Sequence, residues 1–92
     1  MGNPEIDDYE DKRWHDSDGK LHRDDGPAIE YASGRKVWYQ HGLRHRDDGP
    51  AIEWPNGAKR WWLNHQCLSF EAWLGKVDIS DEVKVMLKLK YG

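Results

Sequence analysis

The residues best equipped for chemistry come in duplicate. His22-Arg23-Asp24-Asp25 returns as His45-Arg46-Asp47-Asp48. An imidazole, a guanidinium and two carboxylates in four positions can engage a partner, or they can hold one another. Arg46 is the natural anchor, because guanidinium reads carboxylates and phosphates through two parallel hydrogen bonds. The identity runs on through Gly-Pro-Ala-Ile-Glu, so nine residues repeat at an offset of 23. Repetition favours a structural ladder in which His packs between units, Asp caps turn amides and Arg pairs with a neighbouring Asp. A unique site has no need to recur. The second set is aromatic: Trp38, Trp54, Trp61 and Trp62. These can anchor a protein surface or stack on a nucleobase. Between residues 12 and 63 the large aliphatics are only Leu21, Ile29, Val37, Leu43, Ile52 and Leu63, so most of the Trp must fill the core. The candidate partner-binding residues are therefore His22, Arg23, Asp24, His45, Arg46, Asp47, Trp38, Trp54 and Trp61.

Other chemistries fail on spacing. No Cys pair and no helical His-x-x-x-His is present, which argues against zinc. Asp16-Ser17-Asp18-Gly19 opens like a calcium loop, but the position for the bidentate Glu falls on Pro27. No metal and no cofactor are expected. His-Arg-Asp matches three residues of a kinase catalytic loop, yet 92 residues without a phosphate loop cannot make a kinase. Cys67 and His65 would share a strand face, but no orienting third group or oxyanion site accompanies them, so a buried, inert Cys is expected. No catalytic residue is assigned, and the chain reads as a non-enzyme.

These residues must be positioned by short strands and tight turns. Asp18-Gly19 and His41-Gly42 suit hairpins, and Ser33-Gly34 and Asn56-Gly57 supply a further turn per unit. Arg23–Gly26 and Arg46–Gly49 suit type I turns closed by a Gly with positive φ. Residues 28–31, 36–40, 51–54 and 59–63 are β-branched and aromatic, as strands prefer. Local connections make the sheet an antiparallel meander. Alternation puts aromatics on both faces, so either the sheet coils strongly or one aromatic row is open. Lys59–Asn64 begins a partial third copy, after which the repeat stops. Ser69 then caps a short helix carrying Phe70, Trp73 and Leu74 and ending at Gly75. Asp78 or Ser80 starts a second helix with a stripe of Val83, Met86, Leu87 and Lys90, widened by Val85 and Leu89. The expected fold is mainly β with an α cap: an antiparallel β-meander of 23-residue repeats followed by two short C-terminal helices. The boundaries are an acidic flexible arm over 1–11, a repeat sheet over 12–68 and a helical cap over 69–92, all one domain.

Trp38-Tyr39-Gln40-His41-Gly42-Leu43-Arg44-His45-Arg46-Asp47-Asp48-Gly49-Pro50-Ala51 resembles MORN repeats. The nearer resemblance is to the variant Trp-Tyr-x-Asn-Gly-x-x-His-Arg-x-Asp-Gly-Pro-Ala found in phage and large-virus proteins. Trp61-Trp62-Leu63-Asn64 leading into Phe70 fits the same pattern, and the likeness spans residues 12–74. The Arg-Asp-Asp after His departs from ordinary MORN repeats, so a lipid-binding role carries over poorly. The resemblance implies a protein-binding module, and its phage context implies an inhibitor of a host defence protein such as a nuclease effector, in the manner of an anti-CRISPR.

Composition narrows the partners. The chain carries 14 Lys and Arg against 17 Asp and Glu, a net charge of −3, which disfavours direct duplex-DNA binding. Nine acids against four bases lie in residues 1–25, and this acidic stretch suits a solvated tail that aids solubility or, alternatively, a basic groove that normally holds nucleic acid. Mean hydropathy is −1.04, and no apolar run approaches a membrane span. A single Cys and an N-terminus without signal-peptide layout point to a reducing cytoplasm, that of a bacterial host if phage-encoded. A host protein is the expected partner. The alternatives are a nucleotide sponge, with a base on Trp and phosphate on Arg23 or Arg46, and a structural virion repeat. A homodimer across an open edge strand is a further possibility.

Overall fold

The computed structural model describes residues 3–92. Nine strands precede two helices: β1 (Glu5–Ile6), β2 (Lys12–Arg13), β3 (Ile29–Glu30), β4 (Lys36–Val37), β5 (Tyr39–Gln40), β6 (Leu43–Arg44), β7 (Ile52–Glu53), β8 (Lys59–Leu63), β9 (Gln66–Leu68), α1 (Phe70–Lys76) and α2 (Asp81–Tyr91). The main sheet runs β1-β2-β3-β4-β7-β8-β9, every neighbour antiparallel, and β5-β6 forms a separate hairpin. The fold is thus the expected meander with two C-terminal helices.

The expected strand over 36–40 is broken at Trp38. The Trp38 amide donates to the Ala51 carbonyl, and its own carbonyl accepts from His45. That pinch closes the unit and directs β5 and β6 out of the main ladder. The same pinch occurs one unit earlier, where Trp14 bonds to Ala28 and His22. Residues 1–2 of the expected acidic arm lie outside the described residues. Within the rest of it, Glu5 and Ile6 pair with Arg13 and Lys12. Asp7 makes this a hairpin rather than a free arm: its carboxylate accepts the amides of Tyr9 and Asp11 and the Arg13 guanidinium.

Hairpin turns fall where the glycines placed them. Gly19, Gly34, Gly42 and Gly57 all have positive φ. Gly34 combines φ +100° with a close neighbour, since a Cβ there would lie 3.0 Å from Pro55 Cγ. Gly34→Ala is expected to cost about 1–3 kcal/mol in urea denaturation. Gly75 gives the opposite case. It lies inside α1 with open space where a methyl would stand, so Gly75→Ala is expected to add up to about 1 kcal/mol.

Ser69 and Ser80 cap the helices, accepting from Ala72 and Val83. α1 runs past Gly75 to Lys76 because Gly75 is not left-handed, and the chain leaves the helix at Val77. The main core lies between the third unit and the helices: Trp61, Trp73, Leu74, Val77 and Leu87 are buried, flanked by Val83 and Tyr91. Ala28, Ile29, Val37 and Ala51 form the sheet's own buried row. The α2 stripe therefore differs from expectation. Val83, Leu87 and Tyr91 face the core, whereas Val85, Met86 and Leu89 face outward. Cys67, expected to be buried, is exposed; it pairs with Trp62 in the β8–β9 ladder, while its neighbour Leu68 turns to the helices.

Candidate partner-binding groove

The His-Arg-Asp-Asp-Gly-Pro turns are two copies of one hydrogen-bonded device. The His41 amide donates to His22 Nδ1 at 3.0 Å, and the Asn64 amide donates to His45 Nδ1 at 3.0 Å. Each Nδ1 is thereby an acceptor, so each Nε2 carries the proton and donates to a carboxylate: Asp24 at 2.8 Å and Asp47 at 2.6 Å. Each His thus ties its own turn to the hairpin of the next unit. This is the ladder that repetition favoured.

The arginines are lids. Arg23 lies 3.8 Å above the Trp14 ring and Arg46 lies 3.8 Å above the Trp38 ring. Arg46 donates to Asp48 at 2.8 Å, to the Pro50 carbonyl at 2.9 Å and to Glu53 at 2.8 Å. Arg23 does the same with Asp25 and Pro27, while Glu30 stays farther away at 3.7 Å. Gly26 and Gly49 were expected to need positive φ, and they do not have it. Their reason is the lid: a Cβ on Gly26 would lie 3.1 Å from Arg23 Cζ, and one on Gly49 would lie 2.7 Å from Arg46 Cζ.

The third unit closes differently. Where another His-Arg turn would fall, Phe70 and Trp73 cover Trp61, with ring centroids 4.7 and 4.6 Å away. The Trp73 indole donates to the Arg46 carbonyl at 3.0 Å, just as Gln40 donates to the Arg23 carbonyl at 3.0 Å. The helical cap thus replaces the missing third His-Arg turn, and Trp73 supplies the hydrogen bond that Gln40 supplies one unit earlier.

Between the two turns lies a groove of about 670 Å³. Arg23, Asp24, Trp38, His45, Arg46 and Asp47 from the expected set all line it. His22 is buried beneath it, Trp61 is in the cap core, and Trp54 sits at the Asn56-Gly57 turn. Asp25, Asp48 and Gln40 also line the groove. The two aspartates stand inside the repeated motif and were legible there, whereas nothing near Gln40 signals its place. The rim is acidic. Asp24, Asp25, Asp47 and Asp48 have side chains 69%, 77%, 62% and 76% exposed, while the two arginines are only 20% and 16% exposed. The Arg23 guanidinium beside Asp25 holds its carboxyl below the usual carboxylate range.

Asp16, His22 and His41 also converge, each offering a ligand atom within 4.8 Å of the others. The His22 and His41 rings stack at 4.0 Å. Both His22 nitrogens are already bonded, and the second unit uses His45 identically without an aspartate at the place of Asp16. The cluster therefore serves as a clamp between units, and a metal there would have to displace a hydrogen bond of His22 and compete with the His41–Asp16 bond. Its acid is Asp16. The His41 imidazole, then the Lys20 amide, bring its pKa from 3.8 down to about 2. A depressed folded-state pKa contributes stability above pH 3.8 that is lost as pH falls toward 2. Asp16→Asn is expected to flatten the acid limb of the stability curve in that window, read from urea midpoints at stepped pH.

Comparison of the chain with protein-family models, with curated proteins and with solved structures finds no match.

Proposed function

We propose that the protein is a non-enzymatic binding module that seats a basic surface of another protein in the groove between its two repeated turns. The reading is carried by one observation: the arginines face inward, and the carboxylates face out. Arg23 and Arg46 are spent on Trp faces, carbonyls and acids of their own unit. The four aspartates of the same turns, though bonded to those arginines and to His22 and His45, keep most of each carboxylate in solvent, where it can meet a partner. Such a rim steers and orients a cationic surface. The groove of a nuclease that handles nucleic acid is a surface of that sign. This agrees with the phage-type inhibitor of a host defence protein that the MORN-like resemblance implies.

The nucleotide-sponge reading loses its parts. A phosphate entering the groove would meet four carboxylates and two guanidinium groups already bonded within their own units, and one Trp38 face is covered by Arg46. No described helix is long and apolar enough to cross a membrane.

The test is a variant with Asp24, Asp25, Asp47 and Asp48 all replaced by Asn. Amide oxygens can still accept from His22, His45 and the arginines, so the fold is expected to persist by circular dichroism. Retention of a stoichiometric protein captured from a bacterial lysate is expected to drop at least about tenfold, and its salt dependence to flatten. Native mass spectrometry identifies what is retained. Undiminished capture by the variant, or a nucleotide in place of a protein, would refute the reading.

A further inference from the structure

α2 presents two apolar faces, and only one is covered. Val83, Leu87 and Tyr91, spaced four apart, pack on the core. On the opposite side Val85, Met86 and Leu89 are 55%, 66% and 84% exposed. At 3.6 residues per turn these three sit side by side, with Glu82 continuing their line toward the N-terminus. Contiguous large apolar side chains on a highly polar chain mark a contact surface.

We propose that this face is occupied by α2 of a second copy of the chain, packed antiparallel across a two-fold axis. The charges of the helix select that occupant and that direction. Asp81 and Glu82 lie in its first turn, and Lys88 and Lys90 lie in its last. Antiparallel pairing about a two-fold sets each acidic turn beside the partner's basic turn. Parallel pairing would set like against like. Overall balance agrees. The chain has 17 acids against 14 bases, but α2 has two acids against three bases, Lys84 included. The helices that meet thus each carry a net charge of only +1 in a chain of net −3. No α2 residue lines the acidic groove, so the dimer leaves two grooves open. Dimerisation is therefore independent of what the groove binds.

Eleven residues give a helix contact of about 16 Å, shorter than a standard interface needs. The dimer is accordingly reversible, dissociating on dilution through the micromolar range.

Sedimentation velocity of the full chain over a dilution series tests this. A monomer–dimer equilibrium is expected. Met86→Glu and Leu89→Glu are each expected to weaken it at least about tenfold while leaving circular dichroism and melting unchanged, since both side chains are exposed. Glu82→Lys and Lys90→Glu, at the two ends of this face, are each expected to weaken it, and together to restore it. A monomer at every concentration overturns the proposal. So does a dimer that survives both apolar substitutions, which would place the contact elsewhere, for example on the β1 edge. Failure of the paired charge exchange to restore association overturns the antiparallel arrangement.

Discussion

Replacing Trp73 by alanine is expected to leave the chain largely unfolded at 37 °C. Trp73 is fully buried, and it touches the third repeat unit through Trp61 and the second through the Arg46 carbonyl. Trp-to-Ala substitutions in cores cost about 3–5 kcal/mol, through lost transfer energy and the cavity left behind. A domain of 92 residues has about 5 kcal/mol or slightly more to lose. The two figures are comparable, so the folded population collapses. Urea titration followed by far-ultraviolet circular dichroism reads this directly. Trp73→Phe separates the contributions. It keeps most of the ring but removes the donor to Arg46, and is expected to cost about 1–2 kcal/mol. If Trp73→Ala melted cooperatively near the wild-type midpoint, the helical cap would not be what closes the array.

Arg46→Ala carries the second-largest effect, about 2–4 kcal/mol. It removes a cation over Trp38 and bonds to Asp48, Pro50 and Glu53. The pair with Asp48 adds little, because that carboxylate is mostly in water. The bonds to the buried Pro50 carbonyl and the half-buried Glu53 dominate. Arg46→Lys is expected to recover less than half, since an ammonium cannot span those acceptors while lying flat on an indole. Arg23→Ala is expected to cost less, because Arg23 makes no hydrogen bond to Glu30. Gly49 supplies the internal check. In the wild type, Gly49→Ala forces the lid aside and is expected to cost about 1–2 kcal/mol. In the Arg46→Ala background the obstruction is gone, and the same change is expected to be near neutral. Additive costs would show that Gly49 serves the turn backbone instead of the lid.

The lid explains why a motif that looks equipped for binding faces solvent mainly with its carboxylates. From residue types alone, Arg46 is the best anchor and the aspartates are its attendants. In the fold the order is reversed. The arginine is held by its own unit, and the aspartates stand at the rim.

Much of the architecture could be read from the chain because it depends on neighbours in sequence. Gly19, Gly34, Gly42 and Gly57 mark turns through their own φ, and Ser69 and Ser80 mark helix starts through amides three residues on. The offset of 23 between identical segments implied identical bonding, and His22 and His45 do bond alike. What the chain could not disclose depends on residues distant in sequence. The break at Trp38 is made by Ala51 and His45, and the hairpin at Glu5 by Asp7 and Arg13. Six of the nine expected site residues meet in one groove, yet Trp61 leaves the set because α1 lies on it, and His22 because the next unit's hairpin covers it. α2 shows the limit most clearly. Periodicity put Val83, Met86, Leu87 and Lys90 on one stripe widened by Val85 and Leu89. Only the position of Trp61, Trp73 and Leu74 decided that Leu87 is inside and Leu89 outside. Local conformational preference acts over a few residues and is written in order, whereas burial is settled by whichever surface arrives opposite.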